Sequence, residues 1–282
     1  MAASQVVLIT GASSGLGRAC AEHLAGLGHR VFGTSRRVSA RGDAPSRGAA
    51  GDVAAPPLRM LPMDVRDDGS VQGAVGRILA EEGRIDVVVN NASVGLAGSI
   101  EDTTPDEARE LFETNFFGVH RVCRAVLPSL RRQGSGLIVN VSSLAGLVSV
   151  PFQGFYSASK FAVEALTEAL RMELRPFGIR VAMLEPGDFR IGFTASRRFA
   201  AAFGEESPYA ERGRRAVAVM EHDEQTGADA RELARLLARL MERRSPRLRY
   251  PCGMLSQRLL VGTRRLLPAS ALQRGISAYY KL

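Results

Sequence analysis

The stretch that decides the fold runs from Gln5 to Gly17 and reads QVVLITGASSGLG. Its first part, Gln5–Thr10, is a short apolar run rich in β-branched residues, which favours a β-strand. The glycine-rich turn Thr10–Gly17 comes next, a helical pattern continues through Arg18–Gly28, and a second strand-like run covers His29–Ser35. A strand, a turn, a helix and a second strand in this order predict the start of a parallel sheet with crossover helices.

The same alternation continues along the chain. Further strands are predicted over a run that ends at Leu61–Val65, and over Ile85–Asn90, Gly136–Val141 and Ile179–Leu184. Helices are predicted at about Asp68–Glu82, Pro105–Arg132 and Tyr156–Arg175. The strand at Ile85–Asn90 reads IDVVVN, and its unbroken apolar character fits a parallel strand that is covered on both faces. Six apolar strands that alternate with helices predict an α/β fold with a doubly wound parallel sheet.

Other segments depart from this rhythm. Val38–Pro57 is rich in Gly, Ala, Ser, Pro and Arg, and we interpret it as a surface excursion. A helix at about Ala228–Arg244 and a short strand near Leu248–Tyr250 are predicted in the last quarter of the chain. The tail, Leu255–Tyr280, resembles a basic amphipathic helix broken at Pro268, and it either packs with one solvated face or contacts a membrane surface.

Composition restricts the class of protein. The 282 residues, 45% of them hydrophobic and 23% charged, suit one globular domain over 1–282 rather than a disordered chain. The net charge of +8 comes from 35 Arg and 2 Lys that spread along the chain without an aromatic-basic stripe, so no nucleic-acid partner is predicted. Cys20, Cys123 and Cys252 are too few and scattered for a disulfide framework or a metal site, which favours a reducing, cytoplasmic setting.

The turn Thr10–Gly17 has the features of a phosphate-binding loop. Gly11 permits a tight turn, Gly15 lets the backbone approach a phosphate, and Gly17 lets the helix pack close to the sheet. Backbone amides and the positive helix end then face the anion. A loop that only reverses the chain is the alternative. The predicted cofactor contacts of this turn are Thr10, Gly11, Ser13, Ser14, Gly15, Leu16 and Gly17.

The end of the second strand discriminates between cofactors. An acid there would bind the ribose 2′-hydroxyl of NAD, whereas an arginine accommodates the 2′-phosphate of NADP. Here the chain carries Arg36 and Arg37 with no acid. This favours NADP(H), with Arg36 as the leading contact, and leaves NAD(H) possible. The alternative is a solvated arginine in an arginine-rich protein.

Tyr156 and Lys160 are four residues apart at the start of a predicted helix, so both side chains lie on one face. A nearby ammonium favours the ionised phenol, so we expect the pKa of Tyr156 to fall below its usual value of about 10. Ser142 and Ser143 close the fifth strand, at the sheet edge where ligands bind. An accidental surface pair is the alternative for Tyr156 and Lys160 taken alone.

In this combination the chain resembles the short-chain dehydrogenase/reductase family over roughly Val6–Ile191. The stretch Pro151–Leu166 is similar to the branch that includes 17β-hydroxysteroid and retinol dehydrogenases. The matching motifs are the Thr10–Gly17 turn, Asp64 after the third strand, Asn90-Asn91-Ala92 after the fourth, Asn115, Ser143, Tyr156-x-x-x-Lys160 and Pro186-Gly187. Two positions differ from the family pattern: Ser93 replaces a glycine, and Ile191 stands where a threonine is usual.

The resemblance implies a Rossmann-type domain with a core over 1–187 and a substrate lid with a helical extension over 188–282. It makes Tyr156 the general acid or base and Lys160 the ligand of the nicotinamide ribose. Ser143 would bind the reacting oxygen, and Asn115 would kink its helix and hold a relay water. Further implied cofactor contacts are Asp64, Val65, Asn91, Ala92, Pro186 and Gly187.

The family lid corresponds to about Asp188–Arg215, where aromatic residues are frequent and where Phe199 and Phe203 are spaced to share a helix face. We therefore expect a lipophilic alcohol or ketone as substrate. An acidic substrate is the alternative, because the lid contains arginines. The resemblance also implies a homodimer or homotetramer. The expected activity is NADP(H)-dependent oxidoreduction; the alternatives are an NAD-linked alcohol dehydrogenase and a catalytically silent nucleotide-binding scaffold.

Overall fold

The structure, a computed structural model, describes residues 4–36, 38, 58–192 and 197–282. The predicted surface excursion at Val38–Pro57 therefore lies outside the described residues except for Val38, and so does Arg37.

Seven parallel strands form the main sheet, in the order β3-β2-β1-β4-β6-β7-β9. A separate pair, β5 and β8, forms a two-stranded parallel sheet. The strands are β1 (Val6–Thr10), β2 (Arg30–Ser35), β3 (Arg59–Pro62), β4 (Val87–Asn90), β5 (Leu96–Ala97), β6 (Gly136–Val141), β7 (Ile179–Pro186), β8 (Arg198–Phe199) and β9 (Arg249–Cys252). The strand order reverses between β1 and β4, and in such sheets ligands bind at the carboxyl ends of the strands beside that point.

Helices cover both faces of the main sheet, which confirms the doubly wound prediction. They are α1 (Gly15–Gly26), α2 (Asp68–Glu82), α3 (Pro105–Phe112), α4 (Gly118–Gln133), α5 (Gly154–Leu174), α6 (Ala210–Thr226), α7 (Ala230–Met241), α8 (Leu255–Gly262) and α9 (Ala269–Tyr279). Leucines of α1 and α7 are buried in one hydrophobic core, and apolar side chains of α2, α4 and α5 are buried in the other.

Strand β4 shows why the central strands have uninterrupted apolar sequences. Val87 and Val89 are buried in the same core as α1, whereas Val88 is buried in the core on the opposite face. Successive side chains of a strand point to opposite faces, so a strand covered on both faces needs apolar residues at every position. Each fully buried valine of this kind stabilises the fold by about 1.5 kcal/mol or more.

Several predicted boundaries were wrong. The helix expected over Pro105–Arg132 is interrupted by a π-helical segment, Glu113–Phe117, between α3 and α4. Strand β3 ends at Pro62 rather than Val65 because its partner β2 ends at Ser35, which pairs with Pro62. Phe199 lies in the short strand β8, so it shares no helix face with Phe203, although their rings stack with centroids 6.4 Å apart.

The C-terminal part of the chain contributes more structure than its pattern indicates. The predicted strand near Leu248–Tyr250 is β9, which extends the sheet beside β7, and the break at Pro268 separates α8 from α9 as predicted. Helix α6 was missed. The Arg249 guanidinium on β9 forms ion pairs with Glu164 on α5 and Glu185 on β7, which ties this edge strand to the sheet. Among the described residues, no helix is long and apolar enough to cross a bilayer.

Candidate active site

One continuous cavity of about 920 Å³ lies at the carboxyl ends of the central strands. The glycine-rich turn lines one end of it, and Ser143, Tyr156 and Lys160 line its middle. Residues from α6, α8 and α9, among them Gln257 and Tyr279, line the other end. The turn, the polar triplet and the C-terminal helices therefore face one shared space.

Hydrogen bonds tie the glycine turn to the segment Asn91-Ala92, which follows strand β4. The Thr10 hydroxyl accepts hydrogen bonds from the backbone amides of Asn91 and Ala92, at 3.0 and 2.9 Å. The Asn91 amide donates to the carbonyl oxygens of Thr10 and Gly11, at 2.9 and 3.1 Å. A side chain at Gly17 would collide with Asn91 and with Gly11.

The backbone conformation of the turn also requires glycine. Gly11 and Gly15 have φ values of +66° and +57°, which other residues rarely adopt. Helix α1 begins at Gly15, so its positive end and unpaired amides face the cavity. This cradle fits the phosphates of a dinucleotide.

Arg36, Asp64 and Val65, which follow strands β2 and β3, also line the cavity. Asp64 forms an ion pair with Arg66 at 2.8 Å. The hydrogen bond from Arg66 lowers the pKa of Asp64, with a further contribution from the charge of Arg36. Arg36 therefore brings a positive charge to the rim of the cavity. Arg37, the second predicted contact, lies outside the described residues.

Helix α5 places Tyr156 and Lys160 one turn apart. The Lys160 side chain is buried, and its Nζ donates to the Val141 carbonyl oxygen at 3.1 Å and lies 5.6 Å from the centre of the Tyr156 ring. The Ser143 hydroxyl donates to the Pro186 carbonyl oxygen at 3.2 Å and accepts from the Ala145 amide at 3.1 Å. Three elements, β6, α5 and β7, thus bring the predicted triplet together.

The expected lowering of the pKa of Tyr156 is not found in this structure. Burial raises the pKa of Tyr156 to about 12, and the hydrogen bond with Ser143 only partly opposes this. Burial also lowers the pKa of Lys160 to about 8. Removing both groups from water disfavours the charged form of each, and this outweighs the attraction expected between them.

Asn115 lies in the π-helical segment and connects two parts of the site. Its Nδ2 donates to the Val94 carbonyl at 3.0 Å and to the Ser159 hydroxyl at 3.2 Å. Its Oδ1 accepts from the Val94 amide at 2.9 Å and from the Ser93 hydroxyl at 3.1 Å. Ser159 in turn donates to the Tyr156 carbonyl at 2.7 Å. The residue that replaces the family glycine, Ser93, is thus a hydrogen-bond donor to Asn115.

The cavity wall includes most of the predicted site residues. Thr10, Gly17 and Asn115 are not part of the lining and support it from behind. Ile191, at the position where the family usually has a threonine, lines the cavity beside Gly15. The predicted residues in the wall are Gly11, Ser13, Ser14, Gly15, Leu16, Arg36, Asp64, Val65, Asn91, Ala92, Ser143, Tyr156, Lys160, Pro186 and Gly187.

Sequence reasoning missed the polar groups at the C-terminal end of the cavity. Asp188 and Glu224 both line it. Glu224 pairs with the Arg197 guanidinium, whose side chain is fully buried. Gln257 on α8 donates to the Asp188 carboxylate at 2.5 Å. The sequence offered no signal for these contacts, since the partners are 27 and 69 residues apart.

The cradle for a dinucleotide and the serine, tyrosine and lysine beside it define an oxidoreductase of the NAD(P)-binding class that acts on alcohol or carbonyl groups. The chain matches the family model described as short chain dehydrogenase over residues 5–201. It belongs to the short-chain dehydrogenase/reductase family.

Curated relatives agree with this assignment. The chain is 40% identical over 278 residues to a 3-ketodihydrosphingosine reductase of Bacteroides thetaiotaomicron, with 99% of this chain and 98% of the relative covered. It is also 40% identical over 196 residues to human 17-beta-hydroxysteroid dehydrogenase type 1, with 68% of this chain and 58% of the relative covered. The resemblance to the branch with hydroxysteroid and retinol dehydrogenases is confirmed.

Solved structures share the fold. A short-chain dehydrogenase from Streptomyces avermitilis superposes with a TM-score of 0.78 at 33% identity, covering 99% of this chain and 98% of the other. A Burkholderia phymatum relative in complex with NAD has a TM-score of 0.76 at 27% identity, covering 93% of each chain. An alcohol dehydrogenase from Thermococcus sibiricus, complexed with 5-hydroxy-NADP, has a TM-score of 0.67 at 26% identity, covering 90% and 97%.

Proposed function

We propose that the protein catalyses the NADP(H)-dependent interconversion of a lipophilic ketone and its alcohol, with Tyr156 as the general acid and base. The observation that carries the proposal is the convergence of Ser143, Tyr156 and Lys160 on the wall of the cavity that also contains the glycine turn. A silent scaffold has no use for this convergence, because binding a nucleotide needs no proton donor.

In the direction of reduction, each residue has a distinct role. The raised pKa of Tyr156 keeps its phenol protonated at neutral pH, so that it donates its proton to the carbonyl oxygen. The Ser143 hydroxyl hydrogen-bonds the same oxygen and stabilises the charge that develops on it. Lys160 holds the nicotinamide ribose. When bound, the nicotinamide supplies or accepts the hydride.

Asn115 and Ser159 support this arrangement from behind. The Asn115 amide holds Val94 and Ser159, and Ser159 holds the backbone of Tyr156. We propose that Asn115 also positions a water that connects Lys160 to solvent, so that the proton lost by Tyr156 is replaced.

The preference for NADP(H) over NAD(H) rests on Arg36. This residue lies at the cavity rim, and the chain has no acidic residue at the end of β2. An arginine stabilises a 2′-phosphate by charge-assisted hydrogen bonds. Arg36→Ser should lower kcat/KM with NADPH at least about 10-fold and leave that with NADH nearly unchanged. Equal efficiency of the wild-type protein with both cofactors would overturn this preference.

Apolar side chains line much of the cavity beyond the triplet, which supports a lipophilic substrate. They include Val150, Phe189, Leu260, Val261 and Ile276. Of the other predicted lid aromatics within the described residues, none lines the cavity. Similarity over nearly the whole chain to a 3-ketodihydrosphingosine reductase favours a long-chain amino ketone within the lipophilic class.

We further propose a single domain over residues 1–282, because β9 from the C-terminal part completes the main sheet.

We also propose a homodimer or homotetramer that associates through α4 and α5. Three exposed apolar side chains on and beside these helices support it: Phe117, Phe161 and Met172. The three buried free cysteines support a cytoplasmic location. We also propose that the C-terminal helices contact a membrane surface.

The test is turnover with purified protein. Loss of reduced-nicotinamide absorbance with NADPH and a long-chain ketone is expected for the wild-type protein. Tyr156→Phe should abolish turnover and leave NADPH binding within about twofold, because the phenol oxygen is removed without changing the ring. Turnover retained by Tyr156→Phe would remove Tyr156 from its role. Cofactor binding with no turnover of any ketone or alcohol would favour the scaffold.

A further inference from the structure

Asp188 stands at the point where the cavity passes from the catalytic triplet to the C-terminal helices. Its backbone is fixed on both sides: its amide donates to Gln257 Oε1 at 3.0 Å, and its carbonyl accepts from the Ala228 amide at 3.0 Å. The Gln257 Nε2 donates to one carboxylate oxygen of Asp188 at 2.5 Å. The carboxylate is therefore held in one orientation by a neutral side chain.

The charges around Asp188 do not balance. Asp223 and Glu224 on α6 are buried and act on Asp188, and the opposing charge is that of Arg197. Arg197 forms its ion pair with Glu224, and Asp223 accepts a hydrogen bond from the Tyr279 hydroxyl at 2.6 Å. Of these carboxylates, Asp188 and Glu224 line the cavity. Glu224 is paired with Arg197, whereas the side chain that holds the Asp188 carboxylate, Gln257, is neutral, so Asp188 presents a negative charge that favours a cation.

This negative field reaches the reacting position. The charges of Asp188 and Glu224 both raise the pKa of Tyr156, whereas Arg197 acts in the opposite direction. Burial, followed by the neighbouring carboxylates, raises the pKa of Asp188 itself to about 6, so it is ionised at neutral pH. Asp188 and Tyr156 line the same cavity, so one bound substrate can contact both side chains.

We propose that Asp188 is the specificity-determining residue of the site, and that it binds an ammonium group on the carbon next to the ketone. The inference rests on the proposed function, which places the carbonyl carbon at Tyr156 and Ser143. Gln257 acts as a positioning residue for the carboxylate. The apolar side chains of α8 and α9 that line the cavity, Leu260, Val261 and Ile276, then accommodate the hydrocarbon chain of the same substrate.

The experiment compares two long-chain ketones that differ only in a primary amine beside the carbonyl. Wild-type protein, Asp188→Asn and Glu221→Gln are assayed with NADPH at pH 7.5. Glu221 is a matched control on α6, because it is a carboxylate near Arg197 that does not line the cavity. Asp188→Asn keeps the size of the side chain and an oxygen for Gln257.

Asp188→Asn should lower kcat/KM for the amino ketone about 10- to 100-fold, the usual effect of losing a hydrogen-bonded charge pair. Turnover of the amine-free ketone should not fall by more than about twofold, because loss of the Asp188 charge makes the Tyr156 phenol no weaker as an acid, and Glu221→Gln should change neither substrate. An equal loss on both ketones would assign Asp188 to the cofactor or the fold and overturn the proposal.

A second measurement uses the wild-type protein alone, so it does not depend on the folding of a variant. A long-chain primary amine should inhibit reduction of the amine-free ketone at least about 10-fold more strongly than the alcohol of the same chain length. Equal inhibition by amine and alcohol would overturn the role of Asp188 while leaving the proposed reductase activity intact. Absence of turnover with both ketones would instead contradict the proposed function.

Discussion

At the scale of single residues, burial shifts the pKa values of the acidic groups in the site in one direction. Tyr156 and Asp188 are both acids in a cavity lined partly by apolar groups, and burial raises the pKa of each, to about 12 and about 6. The consequences differ, because a raised pKa keeps the phenol protonated at neutral pH but still leaves the carboxylate ionised. At neutral pH the cavity therefore holds a proton donor and, despite its burial, a negative charge.

The charge on Asp188 should cost stability. Its pKa in the folded protein is raised from the usual 3.8 to about 6, so the fold favours the neutral form. Stability is therefore lost as pH rises from 3.8 to about 6, and the full cost is present above that pH. Asp188→Asn should therefore raise the free energy of unfolding at pH 7.5 by up to about 3 kcal/mol. The gain should shrink as pH falls through 6 toward 4.

Chemical unfolding of both proteins between pH 4 and pH 8 measures this difference. Glu221→Gln, which removes a carboxylate that is 39% exposed, serves as the control and should show little gain. A lower stability of Asp188→Asn at pH 7.5 would contradict the prediction.

At the scale of elements, the π-helical segment Glu113–Phe117 is the feature that joins α3 and α4 to the site. The widened turn carries Asn115, whose amide pairs with both the amide and the carbonyl of Val94. π-Helical turns inside α-helices are rare and frequently mark functional sites. The resemblance predicted a kink at Asn115, and the hydrogen bonds to Val94 and Ser159 are its physical basis.

Asn115→Ala should lower the free energy of unfolding by about 2 to 4 kcal/mol, because it leaves both polar groups of the Val94 backbone without their partner. Ser93→Ala is the matched control, since it removes one donor to Asn115 and preserves both bonds to Val94. It should cost less than about 1 kcal/mol. Urea unfolding distinguishes the two variants, and equal losses would show that the Val94 bonds are not the important ones.

At the scale of the whole molecule, the C-terminal helices have two different faces. Leu260 and Val261 of α8 line the cavity, whereas Leu255 and Leu259 of the same helix are 65% and 62% exposed. Leu266, in the connection to α9, is 85% exposed. From Leu255 to Leu282 the chain carries five basic residues and no acidic one. Exposed leucines beside arginines suit the surface of an anionic bilayer.

The protein should therefore bind vesicles that contain an anionic phospholipid and not vesicles of a zwitterionic phospholipid alone. Leu255→Ser combined with Leu259→Ser should weaken binding at least about 10-fold, because each leucine contributes about 1.5 kcal/mol or more when buried in lipid. Co-sedimentation measures binding. Turnover of a dispersed short-chain ketone is the control for folding, and binding that is unaffected by the substitutions would contradict the prediction.

The sequence by itself determined the alternation of the main-sheet strands β1 to β4, β6 and β7 with helices, the glycine-rich turn after β1, and a serine at the end of β6 on the same sheet edge as Tyr156 and Lys160. The family resemblance singled out Ser143. These features depend on local signals, because periodicity and glycine spacing act over a few residues and carboxyl ends of parallel strands meet at one edge. Only the tertiary structure decided the pKa of Tyr156, the contact between Asp188 and Gln257, and the joining of β9 to the sheet. The burial of a side chain and the electrostatic field on it depend on neighbours that are distant in the chain, so local sequence patterns cannot predict them.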